Sequence, residues 1–343
     1  MDTKVHIINT WIKWFLRSFT LTLLLAGCAK HDTYTSDPRT NFEALWKIID
    51  EHYCFFDYKQ VDWNGIHQKY SVMISDTMNQ SVLFDFLGNM LAELKDGHTN
   101  LISSFDVARF WAWYEDYPSN FNSELHQLYL GTDYLIAGGM KYRRFSNEQI
   151  GYIYYGSFAS GVGETNLDYI FEYFKNCKGL IIDVRENGGG TLTYSDRIAS
   201  RFLTDKITVG YIKHKTGPGH DDFSPLYPIE LTPSKRLRWL RPVVVLTNRH
   251  SFSATNDFVN KMKILPQITI MGDRTGGGSG LPFNSELPNG WIVRFSASPL
   301  LDANKQDTEH GIDPDIEVSL TPTDLLKGKD TLIEEAIKFL IAK

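Results

Sequence analysis

Three short segments carry residue types that can do chemistry together. The first is Asn248-Arg249-His250-Ser251-Phe252-Ser253-Ala254-Thr255-Asn256. It follows the apolar run Pro242–Thr247 and opens a helical pattern that continues to Lys263. A serine at a sharp strand-to-helix corner exposes its hydroxyl, and the backbone N–H groups that follow it point at an adjacent oxyanion. The same serine can instead serve only as a helix cap. The second segment is Gly188-Gly189-Gly190, at the end of the apolar run Gly179–Arg185. Chain without side chains lets a substrate approach backbone donors. A phosphate loop is the rival reading, but GxGxxG and GxxxxGK are both absent. The third is Asp96-Gly97-His98-Thr99, where a turn presents His98, and histidine is the commonest base for activating a hydroxyl. His250 lies in the serine turn itself, and His214 and His220 lie in a stretch rich in Pro, Gly and His over 211–240 that reads as a loop or lid.

These segments need elements to hold them. Residues 38–95 read as three amphipathic helices, the clearest carrying Leu83, Phe86, Leu87, Met90, Leu91 and Leu94, and so as a small helical bundle. From about residue 150 the period changes. Ile150–Tyr155, Gly179–Arg185, Pro242–Thr247 and Ile268–Gly272 read as strands, with helices over 165–175, 192–203 and 253–263 between them. That alternation predicts an α/β core. A closing helix is expected over 322–342, with Thr331 and Glu334 spaced as a capping box. The Trp111, Trp113 and Tyr114 cluster reads as packing.

Composition narrows the classes. The 343 residues are 42% hydrophobic and 22% charged with a net charge of −6, which is ordinary for a globular chain and argues against a nucleic-acid partner. The three cysteines form no CxxC, and no HExxH occurs, so no metal site and no cofactor is expected. Cys54 and Cys177 read as buried free thiols. Residues 1–28 read as a targeting segment: Lys4, Lys13 and Arg17 precede the apolar run Phe19–Ala26, which is too short to span a bilayer. Its end, Leu25-Ala26-Gly27-Cys28, resembles a bacterial lipobox, which implies lipid on Cys28 and an exported protein anchored to a membrane, facing the periplasm or the cell surface.

Taken in order, Leu94–Thr99, Asp183–Gly190, Ser251–Asn256, Gly272–Gly278 and Glu309–Asp315 resemble the C-terminal processing (tail-specific) serine peptidases, and more closely their tricorn-core and retinoid-binding-protein-like branch. The resemblance implies a ClpP/crotonase-like core over 148–343 behind the helical bundle at 38–100. It implies Ser253 as nucleophile, His98 as base, Glu309 as orienting acid (with Asp315 close in sequence), and the N–H groups of Gly189 and Ala254 as oxyanion hole. One branch of the family places a lysine base about 25 residues after the serine; here residue 278 is glycine. Many members also carry a PDZ domain, whereas the segment 101–147 is shorter than the roughly 50 residues at the low end for a domain. The expectation is a cofactor-independent serine peptidase acting on protein or peptide substrates through an acyl-enzyme. The alternative is an inactive module on the same fold that binds a peptide or a hydrophobic ligand.

Overall fold

The computed structural model describes residues 34–343, Ser146 and Glu148 excepted, so Cys28 and the targeting segment lie outside the described residues. Within Ser36–Lys343 the strands are β1 (Asn100–Ile102), β2 (Val107–Arg109), β3 (Leu135–Ala137), β4 (Met140–Phe145), β5 (Ile150–Tyr155), β6 (Gly179–Asp183), β7 (Ile207–Ile212), β8 (Tyr227–Leu231), β9 (Val243–Thr247), β10 (Ile268–Gly272), β11 (Gly280–Glu286), β12 (Ile292–Leu301) and β13 (Ile316–Glu317). They form two sheets. One runs β13-β10-β9-β6-β5-β4-β3, parallel from β13 to β5 and antiparallel beyond. The other runs β2-β1-β12-β7-β8, with β11 also on β12, and every pair in it is antiparallel.

The apolar runs explain the first sheet. Successive residues of a strand face opposite sides, so a strand covered on both faces must be apolar throughout. Val243 and Val245 pack into a core made by the helices Glu164–Tyr173, Leu192–Ala199 and Ala254–Lys263, while Val244 and Leu246 pack on the opposite side against the helix Thr331–Ile341. Leu180 and Ile182 divide from Ile181 in the same way. The carboxyl ends of β6, β9 and β10 therefore lie side by side, and the loops that follow them meet. In open parallel sheets that is where sites form.

The N-terminal helices Pro38–His52, Trp63–Ser71 and Gln80–Ala92, with a single turn at Phe56–Lys59, do not make a core of their own. Their apolar faces share one with Leu287, Trp291, Val293, Phe295 and Ala297 of the β11–β12 hairpin region. Short helices are marginal without such a surface to cover. The stretch 211–240 is not a free lid, since β7 and β8 pair as an antiparallel hairpin and β7 joins β12. Cys54 and Cys177 are buried and form no disulfide among the described residues. No described helix is long and apolar enough to cross a membrane.

The closing segment breaks into Pro322–Leu326 and Thr331–Ile341, and its cap differs from expectation. Asp330 is the N-cap, accepting from the N–H groups of Leu332 and Ile333. Thr331 lies inside the helix, so no Thr331–Glu334 capping box forms. Asp330 also pairs at 3.0 Å with Arg185, which is fully buried and is held from the other side by Asp183 at 2.7 Å. Removing one partner of a buried pair strands the other charge. Asp330→Ala is therefore expected to cost about 3 kcal/mol or more in urea unfolding, against about 1 kcal/mol for Thr331→Ala, which loses only hydroxyl hydrogen bonds.

Candidate active site

Ser253 is the N-cap of the helix Ala254–Lys263, and its backbone has φ +60° and ψ −119°. A side chain makes this left-handed region unfavourable, and it persists only where the surroundings enforce it. Here the Ser253 N–H donates to Gly277 O at 2.8 Å and the Phe252 N–H to Asn187 O at 3.1 Å, which ties the corner to the loops after β10 and β6. Ser251 Oγ donates to Val184 O at 2.9 Å, a third tie. The strain turns the Ser253 hydroxyl outward into a cleft of about 180 Å³.

His98 lies on the opposite wall of that cleft, its Nε2 2.9 Å from Ser253 Oγ. The turn works as its sequence suggests: Asp96 Oδ1 accepts the His98 N–H at 2.7 Å and fixes where the ring starts. Phe252 lies 4.8 Å from the imidazole, with Trp113 stacked behind it at 4.2 Å, so the Trp113 ring supports the site from outside rather than lining the cleft. Burial lowers the His98 pKa to about 4, partly offset by the Asp96 carboxylate. The imidazole is thus a neutral acceptor over the ordinary pH range. Its Nδ1 faces the Gly280 backbone without a well-formed hydrogen bond and is touched by no carboxylate.

Glu309 does not reach the imidazole directly. Its Oε2 accepts from the Ser279 N–H at 2.8 Å and its Oε1 from Lys59 Nζ at 2.8 Å. The same ammonium lies 3.3 Å from Asp96 Oδ2, which also accepts from Tyr53 and Ser296 hydroxyls. The direct Glu309–His98 bond implied by the resemblance is therefore replaced by a chain, Glu309–Lys59–Asp96, that ends on the His98 backbone. All three side chains are nearly inaccessible. Burial pushes the Glu309 carboxyl up, with the Asp96 charge adding to it, while Lys59 is held charged by the two carboxylates. Asp315, the other acid in that stretch, pairs with Lys263 at 3.0 Å and accepts from the Ile270 N–H, away from the cleft. Lys59 was missed in the sequence because its one-turn helix has no period to read.

The N–H groups near the Ser253 hydroxyl differ in what they already bind. Ala254 N–H, at the first turn of its helix, has no acceptor among the described residues. Gly189 sits against Ser253, close enough that a Cβ on it would lie 2.7 Å from the serine's own, but its N–H donates to Asn187 Oδ1 at 3.0 Å. Gly190 lines the cleft, and its N–H makes no hydrogen bond among the described residues. Of these three N–H groups, those of Ala254 and Gly190 have no acceptor among the described residues. Position 278 excludes a lysine base sterically: φ is +77°, and a Cβ would meet the Phe252 ring at 2.4 Å. His250 is turned away to Glu186 at 3.0 Å, His220 pairs with Asp50, and His214 meets Ser298. Among the described residues no cluster of His, Cys, Asp or Glu is arranged to hold a metal.

A strained serine at the carboxyl edge of a parallel sheet, within hydrogen-bond reach of a buried neutral histidine, is an arrangement able to carry out hydrolysis on an α/β fold. The chain belongs to peptidase family S41: that family's model matches residues 149–318, and the tricorn protease C1 domain matches residues 34–92. A Parabacteroides merdae protein assigned as a peptidase, known from a crystal structure, is 67% identical with a TM-score of 0.86, covering 89% of this chain and 97% of that one. Tricorn protease of Thermoplasma acidophilum is 31% identical over 209 residues, 58% of this chain but 18% of the relative. The chloroplastic C-terminal processing peptidase of Tetradesmus obliquus is 26% identical over 188 residues, 52% of this chain and 38% of the relative. The chain thus matches well under half the length of these two curated relatives.

The backbone at Ser253 has a measurable consequence. Ser253→Gly removes the Cβ that makes φ +60° unfavourable, whereas Ser253→Ala keeps it. The glycine variant is expected to be more stable than the alanine variant by about 1 kcal/mol in chemical denaturation.

Proposed function

We propose that the protein is a serine peptidase that cleaves peptide bonds through an acyl-enzyme on Ser253, with His98 as the general base. The observation that carries this reading is the 2.9 Å contact between His98 Nε2 and the hydroxyl of a backbone-strained serine. With the proton on Nδ1, Nε2 accepts the Ser253 proton as Oγ attacks the substrate carbonyl. The oxyanion forms against the Ala254 and Gly190 N–H groups, and both are unspent in the free protein. The imidazolium then protonates the leaving amine, and a water, deprotonated by the same ring, releases the acyl group.

The imidazolium forms in a buried place with no carboxylate on Nδ1. Two carboxylates and one ammonium lie behind it, so that cluster carries net negative charge when both acids are ionised, and this favours the imidazolium through space. In this reading Glu309 acts by holding Lys59 and the 96–98 turn, as a positioning residue. We also propose that the protein is exported and lipid-anchored through Cys28; the support is the short apolar run ending in Leu25-Ala26-Gly27-Cys28.

A fluorophosphonate probe is expected to label Ser253, and Ser253→Ala to lose both labelling and hydrolysis of a casein substrate; labelling confined to Ser251 contradicts the assignment. His98→Ala is expected to lower turnover by about a hundredfold or more. Burial raises the Glu309 carboxyl to about 7, so the base is read in a Glu309→Gln variant, which removes that titration. Because a His98 pKa near 4 keeps the base neutral, the residual kcat/KM of that variant should hold level as pH falls past 6.5 and drop only as it passes through about 4. An acid limb centred near 6.5 contradicts the buried environment of the ring. For the anchor, Cys28→Ser is expected to move the protein from the membrane fraction to the soluble fraction on cell fractionation. Wild-type protein found soluble outside the cytoplasm contradicts the lipid.

A further inference from the structure

Four side chains that carry charge, or can take it up, line the cleft beside Ser253: His98, Asp257, Lys261 and Arg294. Three of them are engaged. His98 meets Ser253. Lys261 pairs with Asp257 and, at 2.7 Å, with Asp196, while Ser195 Oγ donates to Asp257. Arg294 is different. It is half-buried, and its guanidinium makes no hydrogen bond and no ion pair within 4 Å among the described residues. Asp96 is the acid whose charge it feels most, but the Asp96 oxygens are already taken by Tyr53, Ser296, Lys59 and the His98 N–H.

The position of Arg294 is fixed from both sides. On β12 it stands opposite Asn100 of β1, two residues past His98, and opposite Asn284 of β11. Its neighbours Val293 and Phe295 face the helical core, so Arg294 and Ser296 face the other way, and Ser296 reaches the Asp96 behind His98. A guanidinium has five donors in a planar fork, and leaving donors unmade in a partly dry site is unfavourable. Val209, Ile229 and Leu300 supply apolar wall in the same cleft, and such a wall strengthens any charge-assisted bond formed there.

We infer that Arg294 binds a carboxylate of the peptide substrate and so sets which peptides are seated against Ser253. The fork of an arginine fits the two oxygens of a carboxylate in a way a lysine does not. The carboxylate is either the free end of a chain or an Asp or Glu side chain near the bond that is cut.

The inference rests on the peptidase reading above, so binding is measured on the Ser253→Ala protein, where no turnover intervenes. The probes are fluorescein-labelled hexapeptides of alternating alanine and leucine. One form ends in a free carboxylate, one in an amide, and a set of amide forms carries glutamate at each leucine in turn. An acidic form is expected to bind about tenfold tighter or more than the neutral amide by fluorescence anisotropy. Arg294→Met on that background should bring the ratio close to one, and Arg294→Lys should keep part of it. Tighter binding of the free-carboxylate form assigns the chain terminus as the ligand, and tighter binding of a glutamate form assigns a side chain. If Arg294→Met does not fold, as judged by its melting curve, the lysine variant alone decides: an undiminished ratio overturns the inference. Equal binding of acidic and neutral forms to the Arg294-bearing protein overturns it as well. Carboxylate preference in Ser253→Ala protein, with no hydrolysis by wild type, leaves Arg294 its ligand and removes the peptidase reading instead.

Discussion

A serine does not take φ +60° unless it is compelled, and much of this molecule supplies the compulsion. The corner at 253 is held by acceptors in two other loops, Gly277 O after β10 and Asn187 O after β6. Those loops reach it only because β6, β9 and β10 are consecutive neighbours in one parallel sheet. They come close only because the residues against the corner are glycines. A Cβ at 277 would lie 1.8 Å from Glu309 O, and one at 189 would lie 2.7 Å from Phe252 O. Sheet order, loop composition and the exposure of one hydroxyl are thus a single constraint seen at three scales.

The electrostatics are arranged around the same point with unusual economy of contact. The base is dry and neutral, and its far nitrogen touches no acid. What stands behind it is a buried cluster in which one ammonium serves two carboxylates. Such a cluster adds little to stability by itself, since desolvation offsets most of the attraction, but losing any one member leaves an uncompensated charge. Its effect is positional. It joins the one-turn helix at Phe56–Lys59, the turn that carries His98 and the loop that carries Glu309.

The parallel sheet was legible because buried strands must be apolar on both faces, and β5, β6, β9 and β10 are plain in the chain. The antiparallel sheet was not. In β12, residues such as Arg294 and Ser296 alternate with Val293 and Phe295, and β1 and β2 are three residues each, too short to show a period. For the same reason the N-terminal helices read as their own bundle: their stripes show that a partner exists, and only the fold shows that it is a strand pair some 200 residues downstream. The meeting of His98 with Ser253 came through resemblance rather than through residue spacing. The replacement of a direct Glu309 contact by Lys59 and Asp96 was invisible, because a lone lysine among aromatics in a single turn carries no pattern. Gly189 and Gly190 are indistinguishable as letters, and only the Asn187 side chain, by occupying one N–H, separates them.

The order in which the pieces arrive along the chain has a consequence in time. His98 and its supporting Lys59 are made early, the nucleophile 155 residues after the histidine, and Glu309 later still. The wall opposite the serine needs β12, which pairs with β1 from the other end of the molecule. Contacts of such long sequence separation form late in folding. A nascent or unfolded chain therefore holds every reactive group and no reactive site. The cleft beside Ser253 is complete only once β12 and the loop that carries Glu309 have folded against the early part of the chain.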